Sequence, residues 1–480
     1  MPLPACRGAL FVRLLVVGGG ITGLAAAWEA SRPRDGAPPA QVVVVESEAT
    51  LGGKLRTEQV DELLIEHGPD SFVAYRPAAL QLIDELGLGD DVISVSGTRT
   101  VFLRSRGRLH PLPAGMGMVL PTKLWPFVTT PILTPTDKLR AGWDLVLPRQ
   151  LREGKDVTIG SFLAARLGKG IVRRFADPMV GGIYGASVDE LSLDAVLPSL
   201  RADEKAHRSL MMASLAAGRR KRNTPGANSP FRTLRHGLGS LIDALSEQLS
   251  RDGVEIRIGT TVQSLAATAA GGVEATFAAG PESFDAVVLA CGLPAAAQLL
   301  GTAAPRARAA LADIPLATST VVNLVYPTDA FPDPVTTHGW LEAEAAPISG
   351  VTVSSAKWAG RAPATQVLIR AFVPGRLGAI ADAPDDELVG AVTAHVSAVL
   401  KATKPPQQVR VSRWPSVMPK YTVGHRDRVA TVEAALAQLP AWRVAGSPLR
   451  GVGVPDCVAD GRRQATLALT GALTRAELGS

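Results

Sequence analysis

A continuous apolar run, Arg13 to Val17 (RLLVV), passes directly into Gly18-Gly19-Gly20-Ile21-Thr22-Gly23 and then into the alanine-rich LAAAWEA. A β-branched run of this kind suits a strand buried on both faces. The glycines that follow, and the helical stretch after them, give strand, tight turn and helix in that order. Each glycine has a job in such a unit: Gly18 makes the turn, Gly20 lets backbone approach a pyrophosphate, and Gly23 lets the helix pack close to the sheet. The helix start presents free N–H groups and the positive end of a dipole, which favour an anion. Gly19, Ile21 and Thr22 complete this turn, and Ala27 continues the small-residue face of the helix.

A second apolar run, Gln41 to Val45, ends in Glu46. An acid at the end of the second strand can accept hydrogen bonds from a ribose diol. It comes about eight residues later than the usual spacing of about 20, and the intervening SRPRDGAPPA reads as a lengthened surface loop. The alternative is a glycine-rich turn with no ligand. Past Glu46 the chain reads SEATLGGKLRT, so a second glycine turn, Gly52-Gly53, lies beside Lys54 and Arg56. This element resembles the post-strand motif of the monoamine-oxidase-like flavoprotein superfamily and points to FAD rather than NAD; the alternative is a plain loop.

Composition bounds the rest. The 480 residues imply two or three packed domains. A formal net charge of +6 fits an anionic substrate or a membrane surface and is too diffuse to argue for nucleic acid. Cys6, Cys291 and Cys457 are odd in number and far apart, and the seven histidines show no ligand spacing, so neither a disulfide framework nor a metal site is expected. This suits a reducing, cytoplasmic location. The apolar N-terminal run flows into the glycine turn rather than into a cleavage site, so it reads as a buried strand and not a signal peptide. No stretch approaches the ~20 apolar residues of a membrane span.

Further blocks are more specific. Glu66-His67-Gly68-Pro69-Asp70-Ser71-Phe72, the middle elements LHPLPAGMGMVLPTK, PMVGGIYGASVDELSL and FRTLRHGLGSL, and the C-terminal VAGSPLRGVGVPDCVADGRRQA occur in order over nearly the whole chain. With GGGITGLAAAW and ESEATLGGK they resemble the bacterial coproporphyrinogen III oxidase and protoporphyrinogen oxidase family. The resemblance implies an extended FAD, with its pyrophosphate on Gly18 to Gly23 and its adenosine ribose facing Glu46 and Ser47. Lys54 would lie near the ribityl–phosphate stretch, and Gly68, Pro69, Asp70 and Ser71 would pass beneath the flavin ring. Val262, in the strand-like VEIRIGTTVQSL, would offer its backbone to the adenine. Trp414 would pack near the flavin, and Val454, Pro455 and Asp456 would begin a last helix whose N-terminus faces the flavin's pyrimidine end. Three of these have plain alternatives: a solvated Lys54, a core strand residue at Val262 and a domain-interface aromatic at Trp414.

The implied fold class is α/β: a Rossmann-like FAD-binding domain, a mixed-sheet substrate domain and an inserted helical domain. The FAD domain takes residues 10–75, 229–310 and 413–480, the substrate domain 76–114 and 311–412, and a helical lid 115–228. VFLRSRGRLHPLP reads as two strands about a turn at Gly107; TSTVVNLVYP, GVTVSS and TQVLIRAFV read as antiparallel sheet, and DDELVGAVTAHVSAVL as a helix. Apolar and cationic groups at helical spacing in PTKLWPFVTTPILTPTDKLRAGWDLVLP give the lid a surface for peripheral membrane contact, or else its core-facing side. The run Gly218 to Arg222 reads as a mobile basic loop. The implied reaction is oxygen-dependent oxidation of coproporphyrinogen III by hydride transfer to flavin N5. Protoporphyrinogen IX is the alternative substrate, and the product is handed to a ferrochelatase. No protein general base is required, and Arg76 is the candidate cation for a propionate, or else a surface arginine. An amine oxidase would need an aromatic cage at the flavin, for which four tyrosines are few; a carotenoid desaturase or a non-enzymatic flavin binder would keep the glycine turns. The sequence carries no sign of oligomeric state.

Overall fold

The computed structural model describes residues 12–33, 38–97, 101–221 and 229–478; Cys6 lies outside them. The opening run forms β1 (Arg13–Val17), the glycine turn leads into α1 (Ile21–Ala30), and the second run forms β2 (Gln41–Val45). Three later strands join them: β3 (Glu255–Arg257), β4 (Ala286–Leu289) and β5 (Trp442–Val444). All neighbours are parallel, in the order β3-β2-β1-β4-β5. Past Arg13 and Gln41 at their starts the inner strands are wholly apolar because both faces are covered: Leu14, Leu15, Val16, Val43 and Val44 are fully buried. The chain crosses from β3 to β4 through a three-stranded antiparallel meander, Ser264–Ala267, Val273–Phe277 and Gly280–Phe284. Arg13 and Arg257 both hold Glu282 of that meander, at 2.9 and 2.6 Å.

The last helix, α2 (Val454–Leu478), lies on α1. Gly461 makes this possible, since a Cβ there would overlap the Thr22 carbonyl. Glu29 and Glu85 both accept from Arg462, at 2.7 and 2.9 Å, and Glu85 also accepts from Trp28 Nε1 at 2.7 Å.

A second, seven-stranded sheet runs Gln408–Pro419, Leu316–Pro327, Gln366–Pro374, Gly350–Val353, Gly339–Glu342, Val101–Ser105, Arg108–Pro111. One neighbouring pair is parallel, Gly339–Glu342 with Val101–Ser105, so the sheet is mixed. The pairs read from sequence are present: a hairpin about Gly107 and the antiparallel central strands, with the expected helix at Asp385–Leu400.

Between Pro111 and Phe231 the chain forms a helical region with its own core of Phe127, Ile132, Leu163, Phe175, Leu191 and Leu210. Its helices include Leu124–Thr129, Pro135–Gly142, Ile159–Leu167 and Pro198–His207. Thr134 and Asp137 form a reciprocal capping box at the start of the second of these. Asp144 and Arg166, both fully buried, pair at 2.5 Å in this core. A π-helical turn, Val172–Gly181, contains Pro178, whose missing N–H suits the widened hydrogen-bond ladder.

Several expectations need correction. The boundary at 412/413 cuts the continuous strand Gln408–Pro419. The boundary at 75/76 separates the helix Ala78–Glu85 from the nucleotide-domain core that its Ala79, Leu82 and Ile83 join. The basic segment is helical through Lys221, because LMMASLAAG carries the helix Leu210–Lys221 forward; cations at a helix C-terminus also complement its dipole. Arg222 and the residues after it, to 228, fall outside the described chain. Val262 is in a connection after β3, not in a strand.

Candidate functional site: a flavin cradle

The two glycine turns, 34 residues apart in sequence, meet. Gly20 and Gly52 form an isolated parallel bridge, and the Gly52 N–H donates to the Gly19 carbonyl at 2.9 Å. Gly18 sits at φ 110°, and a Cβ there would lie 2.7 Å from the Ala290 carbonyl at the end of β4. A Cβ on Gly23 would overlap the Gly18 carbonyl. A Cβ on Gly20, in contrast, would meet nothing within 4 Å. Gly18 and Gly23 are therefore glycine for the fold, whereas Gly20 keeps open a space at the start of α1. Among the described residues no side chain caps that helix, and no acid occupies its first turn, so Ile21, Thr22 and Gly23 begin a helix end suited to an anion.

Glu46 reaches this turn from β2. Its carboxylate accepts from the Gly19 N–H at 2.7 Å and from the Glu48 N–H at 2.9 Å, with Ser47 Oγ at 3.2 Å. The Thr260 N–H donates to the Glu46 carbonyl at 2.8 Å, which brings the connection carrying buried Val262 beside the acid.

On the other side of the turns the cradle continues along Lys54. Burial pushes its ammonium down from the ordinary lysine value. A cation held partly out of water is stabilised by an anion. Gly68 packs directly on it, since a Cβ at Gly68 would overlap the Lys54 carbonyl. The segment Gly68, Pro69, Asp70, Ser71 thus follows the glycine turns along one line.

The Asp70 side chain leaves that line. It accepts from Lys357 Nζ and Trp358 Nε1, both at 3.1 Å, and from Ser71 Oγ at 2.8 Å, with Arg370 Nη1 at 3.3 Å. Burial alone would raise its pKa, but Lys357 and Arg370 outweigh it and hold the carboxyl far below the usual range. Asp70 is consequently engaged by Arg370 of the seven-stranded sheet and by Lys357 and Trp358 beside it. Trp414, half-buried in Gln408–Pro419, donates from Nε1 to the His67 carbonyl at 2.9 Å. That bond ties the strand to the segment leading into Gly68.

Val454, Pro455 and Asp456 form the first turn of α2. Asp456 pairs with Arg76 and packs against Gly451 and Gly453. Arg76 lies at the surface, half exposed, and holds that carboxylate. Cys457 lies beside Thr22 and Lys54, and burial pushes its thiol up to about 11; Cys291 is pushed up to about 12 for the same reason. Both remain thiols and are unsuited to nucleophilic work.

The family description flavin containing amine oxidoreductase matches residues 21–469. The chain belongs to this family. This flavin oxidoreductase uses FAD, and its two glycine turns, uncapped α1 and half-buried Lys54 suit that group. It is 54% identical to the coproporphyrinogen III oxidase of Propionibacterium freudenreichii subsp. freudenreichii, over 96% of this chain and 91% of that one. It is 32% identical to the coproporphyrinogen III oxidase of Staphylococcus aureus, over 93% and 97% of the two chains. The crystal structure of a provisionally assigned protoporphyrinogen oxidase from Exiguobacterium sp. 255-15 superposes with a TM-score of 0.84 at 33% identity, covering 97% of this chain and all of that one.

The structure of this flavin oxidoreductase also brings in residues that sequence reasoning missed. Lys357, Trp358 and Arg370 pin Asp70, and Tyr421 organises the loop before α2. The Tyr421 hydroxyl donates to the Ser447 carbonyl at 2.5 Å and accepts from the Gly451 N–H at 2.7 Å, while its ring stacks on His425 at 4.0 Å. One signal was available: Arg370 interrupts the otherwise apolar VLIRAFV, and a charge in a buried strand needs a partner.

Proposed function

We propose that this flavin oxidoreductase oxidises coproporphyrinogen III to coproporphyrin III with dioxygen as acceptor, in haem biosynthesis, and that a ferrochelatase receives the product. The observation that carries the reading is the continuous cradle from Gly20 through Gly52 and Lys54 to Gly68, in a chain that is 54% identical to a coproporphyrinogen III oxidase. Bound FAD supplies the hydride acceptor and, through dioxygen, its own regeneration.

The chain's residues bind and orient. The amides of Ile21, Thr22 and Gly23 and the Lys54 ammonium hold the phosphates. Glu46 and Ser47 face the ribose, and Val262 offers its backbone to the adenine. The Gly68–Ser71 backbone lies along the ring, beside Trp414 and the start of α2 at Val454–Asp456. Arg76, held in place by Asp456, receives a substrate propionate at its exposed edge, and the helical region keeps water from the ring.

The test is anaerobic titration of the yellow holoenzyme. Coproporphyrinogen III should bleach the flavin, and admitted air should restore colour with release of peroxide. Faster bleaching by protoporphyrinogen IX would favour the alternative substrate, and bleaching by an amine alone would overturn the reading.

A specific surface also supports peripheral membrane contact. Trp125 and Trp143 are 76% and 58% exposed, alongside exposed Leu124, Val128, Leu139 and Val146, with Lys123 beside them. The two acids of this stretch are occupied internally, Asp137 by the capping box and Asp144 by Arg166. Among the described residues no helix is long and apolar enough to cross a membrane. The holoenzyme should co-sediment with phosphatidylglycerol vesicles, and Trp125→Ser with Trp143→Ser should abolish this; sedimentation unchanged by the pair would refute the contact.

A further inference from the structure

Residues 66–71 rest on three adjacent strands of the seven-stranded sheet. Asn323 Nδ2 donates to the Glu66 carbonyl at 3.4 Å, Ser412 Oγ meets His67 Nδ1 at 2.7 Å, and Arg370 Nη2 donates to the Gly68 carbonyl. Asn323 and Arg370 are directly paired across strands, so they share one face. This support could have been made from neutral groups. It is built instead around a buried ionic cluster.

Arg370 and Arg361 are each 1% exposed, Glu66 is 2% exposed, and Lys357 is largely buried beside Asp70. The Arg361 guanidinium donates to the carbonyls of Leu234 and Arg235, both at 2.9 Å, and to Thr233 Oγ1 at 3.2 Å, so a carboxylate does not neutralise it directly. Arg370 comes within 3.3 Å of Asp70, yet its Nε and Nη1 lack a hydrogen-bond partner among the described residues. Among the described residues, three cations therefore face two carboxylates in a largely buried cluster. Burial also pushes the Glu66 carboxyl up, which weakens the negative side further. His67, bridged to Glu58 at 2.8 Å, is pushed down by burial and adds no positive charge at neutral pH. The nearby Arg410 is balanced by Glu58 at 3.3 Å.

An unbalanced buried cation favours whichever state of a neighbouring group is more negative, and low dielectric strengthens the effect. A flavin becomes more negative when it accepts electrons. We propose that this cluster, centred on Arg370, raises the reduction potential of the flavin lying over residues 68–71, and that Asp70 limits the rise. Arg370 is a positioning residue here, acting through the Gly68 carbonyl and through space. The inference rests on the flavin placement proposed above.

The test is slow reduction of the holoenzyme in equilibrium with a reference dye, reading the ratio of reduced to oxidised flavin. Arg370→Met and Lys357→Met should each lower that ratio at least tenfold, about 30 mV for a two-electron couple. Asp70→Asn should raise it, and Arg370→Lys, which keeps the charge, should stay near the parent. A merely structural role would move all variants the same way, and that result overturns the proposal, as would ratios all within threefold of the parent. If Arg370→Met does not retain flavin, Lys357→Met and Asp70→Asn decide it by moving in opposite directions or failing to. Parent protein isolated without flavin would instead refute the cofactor placement.

Discussion

The two large sheets handle polarity in opposite ways. The parallel sheet buries runs such as Val42–Val45 and leaves recognition to backbone at its edge, where Gly18, Gly20 and Gly23 shape a space beside uncapped amides. The mixed sheet threads charge through its interior, with Arg370 in mid-strand and Asp70, Lys357 and Trp358 closing over it. A cradle made from backbone depends on what side chains are absent. A floor made from ion pairs depends on partners that are nearly 300 residues apart.

Glycine substitution breaks the first sheet most severely. Gly23→Val forces α1 off β1 and should cost about 3 kcal/mol or more in denaturant unfolding of the apoprotein. Gly20→Val, with open space above it, should leave that stability within about 1 kcal/mol while the purified protein loses its yellow colour. If the two behaved alike, the division between fold glycines and cradle glycine would fail.

On the second sheet, Asp70→Asn should cost about 3 kcal/mol at neutral pH, because it leaves buried cations short of their anion. The effect has a signed pH dependence. The carboxyl of Asp70 is held below its ordinary value in the folded chain, so the unfolded chain takes up the proton first. Its stabilisation is complete above the unfolded carboxylate pKa of about 3.9 and is lost as pH falls through the lower folded value. Unfolding curves from neutral to acid pH should be steeper for the parent than for the variant. Equal slopes would show that the carboxylate is not held by its neighbours.

Lys54 sharpens the contrast from the cradle side. Lys54→Met should weaken FAD binding by about 10- to 100-fold, the loss of one charge-assisted hydrogen bond. Apoprotein stability should stay level or rise, since a desolvated ammonium is removed. A fall in both would mean that Lys54 serves the fold. The smallest change is expected at Val262→Ala: about 1 kcal/mol of lost packing, with FAD affinity unchanged within twofold, because a backbone contact survives truncation of the side chain.

Much of this contrast could be read before any coordinates. The glycine turn, the helix after it and the acid at the end of β2 lie within one stretch of chain, and local sterics specify them. The seven-stranded sheet showed its strands through their apolar β-branched runs, but not the pairing of Arg370 with Asp70 or of Asp456 with Arg76. The basic stretch after Leu210 looked like a loop because its charges stood out, while the alanine-rich residues before it set the helix.

By itself, the sequence determined where the chain must turn, which runs must be buried, and that a glycine turn and a bare helix start follow β1, because bond geometry and the missing Cβ act within a few residues. Only the tertiary structure decided that Gly20 meets Gly52, that Asp70 faces away from the cradle, and that Arg76 is held by the last helix. Those outcomes depend on which distant charges share one dry volume, and no local pattern along a chain encodes that.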